Sequence, residues 1–205
     1  MMLNKLLRRS VSTDTHAQFR EAMSSIASHV MILTAASSQT SSPVYKGVTL
    51  SSVTSLSINP DPMVQFNLMK PSLTSTYLHA YEKFALHILT PTQYSCDLAR
   101  LFARNRHYDD SLGEYVPFEP FKHLSTEEYE IYDKATGCSL PILTKVERIM
   151  ICSKVKSLQV QDHEVWIAKV DEVLNKTDEK TGGLLNFNRE FHTVGEDLHK
   201  STKVD

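Results

Sequence analysis

Apolar positions along the chain switch between two periods. From His16 to Ser28, Phe19, Met23 and Ile26–Ala27 fall on one face of a 3.6-residue repeat and predict a short amphipathic helix. Val30 to Ala36 is a compact apolar run, which predicts the first strand, and Ser37 to Pro43 is a Ser/Thr/Gln loop of the kind that joins a hairpin. Tyr45 to Ile58 sets Val48 and Leu50 against Thr49 and Ser51, which predicts one strand. It ends at Asn59-Pro60-Asp61-Pro62, because prolines remove ladder donors and restrict the residues before them. Met63 to Met69 predicts a further strand with Val64, Phe66 and Leu68 on one face.

Lys70-Pro71-Ser72 leads into a helix that Ser72 can cap, with Leu73, Tyr77, Ala80–Tyr81 and Phe84 as its apolar stripe. Phe84 to Leu89 predicts a buried strand, and Thr90-Pro91-Thr92 opens another helix with Leu98, Leu101 and Phe102 facing inward. Arg104 to Thr136 is polar, aromatic and weakly periodic, and reads as an excursion over the surface. Val146 to Val160 and Glu164 to Leu174 then predict two long antiparallel strands joined at Gln161-Asp162-His163, followed by a loop around Gly182-Gly183. Many strands with a few short helices give a mainly β fold, a barrel or roll with peripheral helices.

Composition adjusts this picture modestly. With 205 residues, 41% apolar and 22% charged, the chain suits one soluble domain with a real core. A net charge of −2 argues against broad affinity for nucleic acid or anionic membrane. No apolar stretch approaches the roughly 18–20 residues of a membrane span. Cys96, Cys138 and Cys152 are widely spaced and form no CxxC pair, so they read as free thiols in a reducing compartment. Residues 1–14 stand apart as a leader before a domain over 15–200. Leucines and methionines precede Arg8 and Arg9, serines follow, and the first acid is Asp14. That is how a mitochondrial transit peptide reads, and the expected location is the mitochondrial matrix, with the cytoplasm as the alternative.

Absent motifs narrow the chemistry. The six glycines form no GxGxxG and no GxxxxGK[ST], and neither a GxSxG elbow nor HExxH occurs. No metal-ligand spacing appears. Two positive features remain. Gly47 to Ser57 carries six hydroxyl side chains in eleven residues. Short hydroxyls beside β-branched residues suit the edge of a flat heteroaromatic ring, although an outer strand that touches nothing has the same composition. Lys70 to Thr76 couples a cation, a capping serine and the free amides of a helix start. That combination suits an anion, or serves as a plain cap. Late in the chain, His192 and Arg189 form a pair suited to positioning a ring or an anionic dinucleotide.

Taken in order, these segments resemble the flavin reductase-like family of the FMN-binding split barrel. The resemblance rests on the Phe19 helix, the Val30 strand, Gly47-Val-Thr-Leu-Ser-Ser-Val-Thr-Ser-Leu-Ser-Ile-Asn-Pro-Asp-Pro62, Asn67 to Thr76, Phe84 to Leu89 and Leu98 to Ala103. It continues in Asp162 to Val173 and Phe191-His-Thr-Val-Gly195, covering about residues 16–195. It implies a homodimeric six-stranded barrel of Greek-key type that binds FMN, or FAD, and reduces it with NADH or NADPH for a flavin-accepting partner protein. By motif position it places Thr49, Ser51 and Ser52 along the isoalloxazine and Asn67 at the ribityl chain. Lys70, Ser72 and Thr76 fall near the phosphate, and His192 on the nicotinamide side.

The other reading the resemblance allows is a flavin-binding or scaffold subunit of a mitochondrial assembly without turnover. A third is a barrel that takes another cofactor, since fold alone does not decide function. Departures from the family pattern are Tyr45-Lys46 before Gly47, His87 where asparagine is common, and the long Arg104 to Thr136 excursion, which could cover the flavin or contact a partner.

Overall fold

The computed structural model describes residues 14–196, apart from 110, 133 and 136. Residues 1–13 of the leader and 197–200 of the expected domain therefore lie outside the described residues. The elements in chain order are α1 (Thr15–Ser24), β1 (Ser28–His29), β2 (Met31–Ala35), β3 (Lys46–Leu50), β4 (Thr54–Ser57), β5 (Met63–Met69), α2 (Leu73–Tyr81), β6 (Lys83–Ile88) and α3 (Gln93–Phe102). They continue through β7 (Arg106–Asp109), β8 (Glu114–Pro117), a 3-10 turn (Pro120–His123), β9 (Tyr129–Ile131), β10 (Pro141–Leu143), β11 (Arg148–Val160), β12 (His163–Asn175), β13 (Leu185–Phe187) and β14 (Glu190–His192).

One antiparallel sheet organises the molecule, in the order β3-β2-β6-β11-β12-β5-β4. Its two edges, β3 and β4, are neighbours in sequence, with only Ser51, Ser52 and Val53 between them. So short a link forces the edges together, and the sheet curls into a barrel split at that point. The chain then leaves β5 through α2 and returns on the far side of the sheet as β6, a Greek-key type of crossover. The single strand expected over Tyr45 to Ile58 is thus two strands, and the sheet has seven rather than six. The break follows from packing: Val53 turns inward to 2% exposure, while Ser52 leaves the ladder to accept the Asn67 N–H at 3.0 Å.

Residues from the sheet's strands share the inner face, with Leu33, Phe66, Phe84, Trp166 and Ala168 at its centre and Leu78 of α2 plugging one end. The outer faces of β2, β6 and β11 are buried too, under α3 and the segment after it. Strands covered on both sides lose the polar alternation, which is why Val30 to Ala36 and Phe84 to Leu89 read as continuous apolar runs. Gly47 permits this cover: a Cβ there would lie 2.6 Å from the Phe102 ring and 2.8 Å from the Leu33 carbonyl.

Some expectations change. The buried face of α2 is Thr74, Ser75 and Leu78, and Leu73 is exposed, because the helix turns its polar side into the barrel end. The 104–136 excursion is not only a surface feature. Phe118 and Phe121 are buried, and Phe121 packs edge-on against Phe102 and Tyr45. His163 is the first residue of β12, paired with Val160 and Met69, so the turn is Gln161-Asp162 alone. The Gly182-Gly183 loop is followed by β13 and β14, which form a small sheet with β1. Among the described residues, no helix is long and apolar enough to cross a membrane.

Candidate functional site

The split between β3 and β4 opens onto a cavity of about 990 Å³. One wall is β3 with Ser51 and Ser52. A second runs from Asn67 at the end of β5 through Lys70 into the first turn of α2. A third is Ala103 to Arg106 with Pro117, Phe118 and Pro120, and His163 completes the lining. Thr49, Ser51, Ser52, Asn67, Lys70, Ser72 and Thr76 are thereby gathered round one space. His192 is not: it is exposed on β14, opposite Leu185 and edge-on to Phe187.

Local bonding fixes what each group can offer. Thr49 Oγ1 donates to the Ala99 carbonyl at 2.7 Å, tying β3 to α3, so it meets a ligand with its lone pairs. Ser52 is held by the Asn67 backbone, while Ser51 and the Asn67 side chain are exposed. Ser72 accepts the Ser75 N–H at 3.2 Å and Thr76 Oγ1 donates to the Ser72 carbonyl at 3.3 Å, so Ser72 is a true cap. The other amides of that first turn have no acceptor within the helix, which leaves partial positive charge facing the cavity. Thr74 Oγ1 contacts the Gly47 carbonyl at 3.4 Å and fixes α2 against β3.

The charges are lopsided. Lys46, Lys70, Arg104 and Arg106 line the cavity with His163, and among the described residues no aspartate or glutamate lines it. Two carboxylates stand behind this lining. Glu119 takes Lys46 at 3.3 Å and Lys122 at 2.6 Å, and the Lys122 hydrogen bond is the main reason its carboxyl is held below the usual range. Glu164 takes Lys70 at 3.0 Å. Arg104 lies over the Phe118 ring at 5.4 Å, and that ring stacks on His123 at 4.8 Å. The third wall is built by the 104–136 excursion, as expected of a segment able to cover a flavin, but Arg104 and Arg106 are not among the expected site residues. Their signal was the basic cluster Arg100, Arg104 and Arg106 in a chain of net charge −2.

An open, cationic cleft with a hydroxyl-lined strand and a helix start suits an anionic heteroaromatic nucleotide better than a neutral or metal ligand. Among the described residues, no group of three or more His, Cys, Asp or Glu side chains is placed to hold a metal ion. The sequence model of the family described as flavin reductase like domain matches residues 23–195. The chain therefore belongs to the flavin reductase-like family: it is an oxidoreductase of the flavin-reducing class.

Solved structures agree on the fold. A flavin reductase domain protein from Arthrobacter sp. is 21% identical, with TM-score 0.70 over 90% of this chain and 99% of that one. The NADH:FAD oxidoreductase of Streptomyces globisporus is 20% identical, with TM-score 0.68 over 94% and 95%. The styrene monooxygenase flavin reductase of Pseudomonas putida is 23% identical, with TM-score 0.64 over 88% and 99%.

Proposed function

We propose that this protein is an NADH- or NADPH-dependent reductase of FMN, with FAD as the alternative flavin, working in the cavity at the barrel split. The observation that carries the reading is the composition of that cavity: a hydroxyl-bearing strand, a capped helix start and four cations, with no carboxylate lining it among the described residues. A bound flavin would supply the redox chemistry, accepting a hydride from reduced nicotinamide. The chain's own part is placement. Thr49, Ser51 and Ser52 run along the ring, Asn67 meets the ribityl chain, and Lys70, Ser72 and Thr76 with the α2 amides take the phosphate. The half-buried β3 strand keeps water from one side of the ring.

The same reading makes the protein a homodimer that passes reduced flavin to an accepting protein. Support for the dimer comes from apolar side chains left in solvent: Phe19 is 64% and Met23 51% exposed on α1, and Ile58, Met69, Val155 and Leu158 are exposed along the barrel. A nicotinamide role for His192 belongs to this assembly, since it requires β14 to approach the cavity of a second copy. Matrix targeting by the basic leader completes the proposal, and a fluorescent reporter fused to residues 1–25 tests it: a diffuse cytosolic signal removes it.

The deciding measurement is anaerobic titration of purified protein with FMN and then NADH or NADPH. Loss of the flavin absorbance supports the reductase. Flavin that binds but is bleached by neither nicotinamide leaves the scaffold reading, and a protein that ignores FMN and FAD removes both.

A further inference from the structure

Lys70 reaches the cavity already paired. Its Nζ donates to Glu164 Oε1 at 3.0 Å, the same oxygen accepts from His79 Nε2 at 3.0 Å, and Oε2 accepts the Ser75 hydroxyl. Glu164 is only 5% exposed and does not itself line the cavity. On the far side of the cluster, Lys154 Nζ lies 3.4 Å from His79 Nδ1 and 3.2 Å from Glu82. Burial pushes the Glu164 carboxyl up, but the hydrogen bonds from Ser75, His79 and Lys70 outweigh it and hold the group ionised down to about 2.

A buried, permanent negative charge therefore sits directly behind the cation that faces the start of α2. An ammonium has three N–H donors, and one is committed to Glu164, so Lys70 can still donate to a ligand. What it cannot offer is an unbalanced positive charge. A phosphate arriving there must share Lys70 with a carboxylate and feel that carboxylate's repulsion across a poorly solvated wall.

We propose that Glu164 sets the strength with which this cavity holds a flavin phosphate, weakening it so that flavin is exchanged rather than retained. The proposal rests on the reading that a flavin phosphate lies at the start of α2. Its discriminating variant is Glu164→Gln. Glutamine has the same shape; its carbonyl can still accept from Lys70 and His79, and its amide can donate to the Ser75 oxygen. Lys70 keeps its place while the opposing charge disappears.

The full-length protein is titrated with FMN and with riboflavin, which lacks the phosphate, following quenching of flavin fluorescence, and FMN release is followed by stopped flow. E164Q is expected to bind FMN about tenfold more tightly, with correspondingly slower release, the size expected for one charge removed at short range in a partly screened site. Riboflavin affinity stays unchanged, which separates the effect from general repacking. FMN affinity that is unchanged or weaker, or an equal gain for riboflavin, overturns the proposal. The underlying reading is checked separately by Lys70→Ala with Ser72→Ala, which is expected to weaken FMN and spare riboflavin. If that pair treats both flavins alike, the phosphate lies elsewhere and the proposal falls with it. Circular dichroism confirms folding, and if E164Q does not fold, Glu164→Thr, which suits a strand, is read by the same criteria.

Discussion

His87 shows how a residue that departs from its family's pattern is explained by its neighbours. It is fully buried, its Nδ1–H donates to the Ile32 carbonyl at 2.9 Å, and its Nε2 accepts the Leu143 N–H at 3.0 Å. Those two bonds fix a neutral tautomer and join β6 to β2 and β10. Burial drives its pKa down to about 4, against the partial support of the Ile32 carbonyl. Between pH 6.5 and 4 the unfolded chain takes up a proton that the folded one refuses, so His87 makes stability fall as pH falls through that window. His87→Leu leaves the Leu143 amide without its acceptor and the Ile32 carbonyl without its side-chain donor, and is expected to cost about 2–4 kcal/mol at pH 7. It should also flatten the melting-temperature profile between pH 6.5 and 4; an equally steep profile in the variant would assign the dependence to another group. Glu164 acts in a lower window. Its contribution is complete above about pH 4.5 and is lost as pH falls through its folded value near 2.

At the scale of elements, the two helices beside the barrel are set by matched caps. Ser72 accepts the Ser75 N–H and Thr92 accepts the Ser95 N–H, each at 3.2 Å. Ser72→Ala and Thr92→Ala are each expected to lower stability by about 1 kcal/mol in denaturant titrations. Only the first cap lines the cavity, so only Ser72→Ala should also weaken FMN binding. Equal FMN affinity in the two variants would make Ser72 a cap and nothing more. These elements were legible because their signals are local: a hydroxyl before a helical stripe, alternation along β5, and the long β11–β12 hairpin. The break in Tyr45 to Ile58 was not, because it depends on Val53 finding the barrel interior and Ser52 finding the Asn67 backbone, fifteen residues away in sequence. The short strands β9, β10, β13 and β14 were missed for the same reason, as each is too brief to carry a period of its own.

At the scale of the molecule, the cavity is an electrostatic object assembled from distant segments. Lys46, Lys70, Arg104 and Arg106 face one space although the protein as a whole carries a charge of −2. Arg104→Ala with Arg106→Ala is expected to weaken FMN or reduced nicotinamide binding several-fold at low salt, and the loss should shrink as salt screens the remaining charges. A loss independent of salt would mean that these arginines shape the wall rather than attract the ligand. The exposed apolar side chains of α1 and the barrel predict a dimer in sedimentation velocity. A monomer at micromolar concentration would leave that surface for a different protein.

The sequence by itself determined the class of fold and most of the long elements, because period, capping and turn chemistry are written in neighbouring residues, and its resemblance to a family named seven residues that line one cavity. Tertiary structure decided the rest. It split the hydroxyl-rich strand in two, buried aromatic residues of the excursion as part of the core, added Arg104 and Arg106 as a third wall, and left His192 outside the cavity of its own chain. It also placed a buried carboxylate behind Lys70. Charge balance and burial are sums over atoms brought together by the closed barrel, and no local pattern in the chain encodes that sum.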